Sequence, residues 1–328
     1  MQENWKKMEA KKALVTGAAG FIGSHLTKKL LNDQWSVVGI DGFTDSYSPI
    51  EKRARAEVLK QSKSFELVEG HLCELEIQPL LKDVDVIFHL AGRAGVRPSF
   101  SLEERYYQDN VASTAALIDA VRASNVRRIV YASSSSVYGN DKTPFSEDRD
   151  TMPISPYGQS KLEAEKMVLK ASDEIETTAL RYFTVYGPEQ RPDMGIRIFI
   201  EKALKDEPIQ ILGDGTQVRD FTYIDDIVTA TVLAASAPCS SLAINVGGGS
   251  SVALKEVIDL IGQLIEKPIR VRYGDFARGD VYRTEADLTL ASTALGFKPT
   301  VSIETGVSNE VNWLLSRNER LSHKEVTL

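Results

Sequence analysis

Cysteine is almost absent from this chain: 328 residues hold two, Cys73 and Cys239, and no CxxC pair. That excludes a disulfide framework and suits a reducing compartment. Histidine is nearly as scarce, and His25, His71, His89 and His323 are too scattered for metal-ligand spacing, so no metal is expected. No apolar run reaches the roughly 18 residues of a membrane span. The polar stretch Met1 to Lys12 lacks the apolar segment of a signal peptide. A cytoplasmic address and no membrane partner are expected. Basic charge is in deficit as well, with 39 Lys and Arg against 46 Asp and Glu and a net charge of −7. That argues against nucleic acid as a partner but leaves room for a local basic pocket. Internal repeats and low-complexity tracts are missing too.

What is present is ordinary globular composition, 42% hydrophobic and 26% charged, in a chain long enough for two domains or one elaborated one. Lys12-Ala-Leu-Val-Thr16 reads as a buried strand. It runs into Gly17-Ala-Ala-Gly20-Phe21-Ile22-Gly23, then a helical pattern from Ser24 to Asn32, then a second strand, Ser36–Ile40, ending at Asp41. In that setting Gly17 permits a tight turn, Gly20 lets backbone approach a pyrophosphate, and Gly23 allows close helix–strand packing. Asp41, 18 residues past Gly23, is placed to accept hydrogen bonds from an adenosine ribose. A carboxylate there favours NAD over NADP, whose 2′-phosphate would meet a like charge.

The α/β alternation continues. Val84–Ala91 is read as a third apolar strand, a long helix is expected over about Leu102 to Ser124, and Arg128–Ala132 delivers Ser133 to Ser136 to the carboxyl end of another strand. Ligands of open parallel sheets bind at that end. Further on, Ser155-Pro-Tyr157-Gly-Gln-Ser-Lys161 opens a helix, with Ser155 as N-cap and Pro156 at the first helical position. Tyr157 and Lys161 then share one helix face. An ammonium beside a phenol is expected to lower the phenol's pKa from about 10, preparing it to exchange a proton with a substrate hydroxyl.

GAAGFIG, Asp41, HLAG, YASSSSVYG and SPYGQSK occur in order, and with them the sequence resembles the extended short-chain dehydrogenase/reductase family, in particular its nucleotide-sugar epimerases. The likeness runs from about Lys12 to Arg320. It implies an α/β fold, a Rossmann-type doubly wound parallel sheet with a smaller C-terminal substrate-binding domain. NAD would be held by residues 11–187 with a return segment 222–248, and the nucleotide sugar by 188–221 and 249–320. By resemblance Tyr157 is the acid/base, Lys161 binds the nicotinamide ribose, and Ser134 shares the reacting hydroxyl, with Ser133 and Ser135 as one-residue alternatives. The cofactor set implied is Gly17, Gly20, Phe21, Ile22, Gly23, Asp41, Leu72, Leu90, Ala91, Asn110, Ser133, Tyr157, Lys161 and Tyr182. Two departures stand out. The family often has an Asp-Leu pair where this chain has His71-Leu72, the Asp meeting the adenine amine, and Arg93 puts a charge where HLAAQ is common. His71 reads as an ordinary surface histidine.

The likeness also bears on the substrate. Water-eliminating and decarboxylating relatives carry a carboxylate just before the VYG tyrosine, where this chain has Ser135-Ser136. Ala94-Gly-Val-Arg97, Phe183-Thr-Val-Tyr-Gly-Pro188 and Arg191-Pro-Asp-Met resemble UDP-glucuronate 4-epimerases. Ser135, Ser136 and Thr184 are suited to give neutral hydroxyl donors to a C6 carboxylate. Arg191, with Arg97, belongs to the implied substrate set, and Arg219 and Arg278 to a diphosphate clamp. The expected reaction is UDP-glucuronate to UDP-galacturonate through a 4-keto sugar. The alternatives are a UDP-glucose or UDP-N-acetylglucosamine 4-epimerase and, from another class, a non-catalytic NAD-binding sensor. Leu254 to Ile265 and Ile303 to Ser316 read as amphipathic helices, and the last dozen residues as a frayed tail. Family members commonly pair through the two helices that match Leu102–Ser124 and Pro156–Ser172, which implies a four-helix-bundle homodimer.

Overall fold

Short apolar runs buried along their length, Lys12–Thr16 and Arg128–Ser134 among them, form the strands of a parallel sheet covered on both faces. The computed structural model describes residues 11–173, 175–238 and 241–325, with side chains as far as Glu319. The stretch before Lys11, Cys239 and the His323 side chain lie outside the described residues. In chain order the structure runs β1 (Lys12–Thr16), α1 (Phe21–Asn32), β2 (Ser36–Asp41), α2 (Pro49–Leu59), β3 (Phe65–Glu69) and β4 (Val86–His89). A broken helical stretch follows: α3 (Val96–Ser99), α4 (Glu103–Tyr106), a π-helical turn (Tyr107–Ala112) and α5 (Ser113–Arg122). Next come β5 (Arg128–Ser134), α6 (Pro156–Lys170), β6 (Glu176–Tyr182), β7 (Thr184–Tyr186), α7 (Gly195–Leu204), β8 (Ile209–Leu212), β9 (Val218–Tyr223) and α8 (Ile224–Ala234). β10 (Leu242–Val246), β11 (Ser251–Ala253), α9 (Leu254–Leu264), β12 (Val271–Gly274) and α10 (Ile303–Glu325) complete it.

Seven strands pair in the order β10-β6-β5-β4-β1-β2-β3, every pairing parallel. This is the doubly wound Rossmann-type arrangement. The strand order reverses between β1 and β4, which opens a crevice at their carboxyl ends. Successive residues feed opposite layers: Ala13, Val15 and Phe88 enter one core, Leu14 and Ile87 the other. Two small sheets, β11-β9-β7 and β12-β8, stand beside the large one.

Three details differ from the sequence reading. Val86–His89 is the fourth strand, because Phe65–Glu69 takes the sheet edge as β3. Its Glu66 and Glu69 broke the apolar pattern, as an edge strand tolerates. The long helix expected from Leu102 carries a π turn at Tyr107–Ala112. The last helix does not stop at Ser316. It continues to Glu325, and Arg317 donates to Glu51 at 2.8 Å. Glu51 also takes both terminal nitrogens of the buried Arg197, at 2.9 and 2.6 Å. A buried guanidinium needs a carboxylate, and this one ties α2, α7 and α10 together.

Candidate active site

One cavity of about 410 Å³ lies at the switch point. Its floor is the turn after β1. Gly17 has φ +72°, and a Cβ on it would lie 2.9 Å from the Ala91 backbone nitrogen; a Cβ on Gly23 would lie 2.0 Å from the Gly17 carbonyl oxygen. Only glycine lets the β4 end and α1 approach so closely. Asp41 closes the next wall. Its Oδ2 accepts the Ala19 N–H at 3.0 Å and its Oδ1 the Phe43 N–H at 2.8 Å. Those bonds hold the carboxylate at the cavity face, where a ribose would lie.

A chain of buried hydrogen bonds positions the β4 end. Thr114 donates to the Asn110 carbonyl at 2.6 Å, so it accepts from His89 Nε2 at 2.9 Å. Thr16 therefore donates to His89 Nδ1 at 2.8 Å and accepts the Ala91 N–H at 3.1 Å. Burial lowers the His89 pKa to about 3, so the ring stays neutral.

Gly17, Gly20, Phe21, Ile22, Gly23, Asp41, Leu72, Leu90, Ala91, Ser133, Tyr157 and Tyr182 all line this cavity. Asn110 and Lys161 do not. Asn110 is buried in the π turn with its amide committed elsewhere. It accepts the Arg93 N–H at 2.7 Å and donates to the Arg93 carbonyl at 3.1 Å and to Ser160 Oγ at 2.8 Å. It locks the loop after β4 against α6. The ammonium of Lys161 lies behind the wall, 4.3 Å from the centre of the Tyr131 ring.

The N-cap forms as its residues dictate: Ser155 Oγ accepts the Gly158 N–H at 3.1 Å, with Pro156 opening α6. Tyr157 then faces the end of β5, where the Ser134 hydroxyl lies near enough to favour its phenolate. Ser133 turns away and donates to Glu165, and Ser134 also accepts the Ser136 N–H at 3.2 Å. The electrostatics differ from expectation. Burial holds the Tyr157 pKa above its ordinary value, against the neighbouring Ser134 hydroxyl and the charge of Arg191. The same burial lowers Lys161 to about 7, with Glu165 opposing it. With its charged form disfavoured by burial, Lys161 is a weaker source of field for the phenol than a solvated ammonium.

Ser135, Ser136, Thr184 and Arg191 share the cavity with Tyr157. Arg191 is paired with Asp193, its Nε bonding at 3.0 Å, and its Nη2 reaches the Ala94 carbonyl at 3.3 Å. Arg97, Arg219 and Arg278 are outside the cavity, gathered beside α3. Arg97 bonds to Asp280 at 2.8 Å, and Arg278 stacks on Phe100 at 4.6 Å. Among the described residues Arg219 donates to carbonyls alone, those of Val218 at 2.8 Å and Tyr282 at 3.3 Å. Burial lowers its pKa, and nearby Arg97 adds to that while Asp280 opposes it. Such a guanidinium is suited to an incoming anion.

Sequence reasoning missed several lining residues. Lys52 is buried, lines the cavity, and donates to the Thr44 carbonyl at 2.8 Å and to Ser46 Oγ at 3.1 Å. Tyr47 lies beneath it, the ammonium 4.6 Å from the ring centre. Neither belongs to a motif that the sequence reading used, and no residue of α2 was singled out there. His71, expected at the surface, lines the cavity with Asp109 and bonds to it at 3.1 Å. Arg93 is buried and paired, its Nε on Asp109 at 2.7 Å and its Nη2 on Asp45 at 2.9 Å.

A fold of this order takes a dinucleotide at its switch point, and a tyrosine set beside the cofactor floor on α6 marks the short-chain dehydrogenase/reductase class. Residues 13–247 match the NAD dependent epimerase/dehydratase family, and the chain belongs to that family. It is 38% identical to a Bacillus subtilis (strain 168) protein named as an uncharacterized UDP-glucose epimerase, over 93% of this chain and 98% of that one. It is 37% identical to the UDP-glucuronate 4-epimerase of Thermodesulfobacterium geofontis, over 92% of this chain and 95% of that one. Among solved structures, the Bacillus cereus UDP-glucuronic acid 4-epimerase in complex with UDP-glucuronic acid and NAD superimposes with a TM-score of 0.90. It shares 37% identity and covers 93% of this chain and 99% of its own.

Proposed function

We propose that this protein is an NAD-dependent nucleotide-sugar 4-epimerase that interconverts UDP-glucuronate and UDP-galacturonate. The observation that carries the reading is one cavity in which the Tyr157–Ser134 pair faces Ser135, Ser136 and Thr184, continuous with the glycine floor. The similarity to UDP-glucuronate 4-epimerases supports the sugar.

Gly17 to Gly23, Asp41, Leu72, Leu90 and Ala91 hold the dinucleotide, with Lys161 behind them. Bound NAD supplies a reversible hydride acceptor and a positive ring whose field favours the Tyr157 phenolate. Tyr157, assisted by Ser134, takes the proton of the C4 hydroxyl as hydride leaves C4. The resulting 4-keto sugar turns over while its diphosphate stays held. Arg219 and Arg278 serve as that clamp, with Arg97 beside them. Hydride returns to the opposite face and Tyr157 gives its proton back, so no net redox change remains. Ser135, Ser136 and Thr184 keep the C6 carboxylate without adding charge, and Ser135-Ser136 leave no acid for elimination.

In this reading residues 11–187 with 222–248 serve the cofactor, and 188–221 with 249–320 cap the sugar. The chain works as a homodimer through the helices from Leu102 to Ser124 and from Pro156 to Ser172. Leu102 and Tyr107, 37% and 47% exposed, supply apolar surface for that contact. Light scattering tests it, with twice the chain mass expected. A cytoplasmic address fits substrates that are anionic and do not cross lipid unaided. Incubation with UDP-glucuronate followed by proton NMR tests the activity.

A further inference from the structure

The cavity wall past Asp41 has an unusual acceptor. A dinucleotide on this fold places its pyrophosphate at the α1 N-terminus and one ribose on Asp41. Its reactive end reaches Tyr157. Its base therefore extends past Asp41 toward the end of β3, where Gly70, His71, Leu72, Asp109 and Ser113 line the wall. Among the described lining residues, Asp41 and Asp109 are the only carboxylates, and both Asp41 oxygens already accept backbone N–H groups.

His71 has no acceptor left for a ligand. Its Nδ1 accepts the Cys73 N–H at 3.3 Å, so the proton sits on Nε2, which donates to Asp109 Oδ1 at 3.1 Å. Arg93 Nε donates to Asp109 Oδ2 at 2.7 Å from another side. Two donors on two oxygens fix the orientation of the carboxylate and leave a lone pair on each. The side chain is 15% exposed, at the cavity wall. Ser113 already uses its proton on the Gln108 carbonyl at 3.1 Å. We propose that Asp109, oriented by His71 and Arg93, accepts the exocyclic amine of the cofactor's adenine, so that the π turn reads the base. The inference rests on the NAD reading above. It also gives Arg93 a role, as the cation that keeps a carboxylate beside the base.

The test is competition between NAD and nicotinamide hypoxanthine dinucleotide, in which a carbonyl replaces that amine. Protein is equilibrated with an excess of both at equal concentration, and the dinucleotides retained are separated and quantified. The expected wild-type ratio is about tenfold or more in favour of NAD, as for a hydrogen bond to a charged group set against a repelled carbonyl. Asp109→Ala, which removes the acceptor, brings the ratio close to one. Asp109→Ser, whose hydroxyl can donate or accept, does the same should the loss of the side chain disturb folding. Equal retention of both by the wild type overturns the proposal, and so does an undiminished ratio in the variants. Failure of the NAD reading itself is distinguishable, because the wild type would then retain neither dinucleotide.

Discussion

At the scale of single residues, the proposed chemistry depends on a phenol whose own surroundings oppose its ionisation. Burial raises Tyr157, and Ser134 and Arg191 only partly offset it. Removing the hydroxyl removes the proton carrier without touching the cofactor floor. Tyr157→Phe is therefore expected to lower turnover by about 10²–10⁴ while NAD stays bound, measured as turnover and as dinucleotide retained. Glu310 gives a second prediction at this scale. Its Oε2 accepts the Gly187 N–H at 2.8 Å, its Oε1 has no partner among the described residues, and burial pushes its pKa up to about 8. The unfolded carboxyl ionises near its ordinary value of 4.5. Between those values the native state holds the extra proton, so this group subtracts stability as pH rises. Glu310→Gln stays neutral, and its stability relative to wild type is expected to rise from pH 5 to pH 8 in urea denaturation. Parallel curves would contradict the assignment. Tyr157, Ser155 and Asp41 were legible in the sequence because each stands in a local pattern with a mechanism. The pairing of His71 with Asp109 was not, since it joins residues 38 apart.

At the scale of elements, the β1–α1 turn is a tightly constrained piece of backbone. Gly23→Ala places a methyl against the Gly17 carbonyl, 2.0 Å away, with backbone on both sides. Overpacking of this kind costs about 1–3 kcal/mol, and the expected result is a roughly tenfold or larger loss of NAD affinity by calorimetry. The strand–turn–helix here was readable because glycine spacing and strand hydrophobicity agree. β3 escaped notice because an edge strand needs no continuous apolar run. The π turn escaped because one extra residue in a helix leaves no compositional trace. Yet it sets Asn110 on the Arg93 backbone and Asp109 at the cavity.

At the scale of the whole molecule, the parallel sheet brings the β1, β2, β4, β5 and β6 ends to one crevice. The second half of the chain brings arginines to its rim. The alternation of strands and helices was legible and the family resemblance implied a doubly wound parallel sheet, but no strand order was read, and the edge strand β3 was missed. The positions of the arginines did not follow, because loops carry no period. Arg191 enters the cavity, whereas Arg97, Arg219 and Arg278 gather beside α3. Nor did the length of α10, whose last turns follow a polar sequence but whose Arg317 is anchored on Glu51. The central claim is that one tyrosine and one NAD turn over C4 of a uronate. Proton NMR of the purified protein with UDP-glucuronate measures it directly. UDP-galacturonate accumulating to a fixed ratio, without carbon dioxide release or added reductant, is the predicted result. An unchanged UDP-glucuronate spectrum, with UDP-glucose converted under the same conditions, would contradict it.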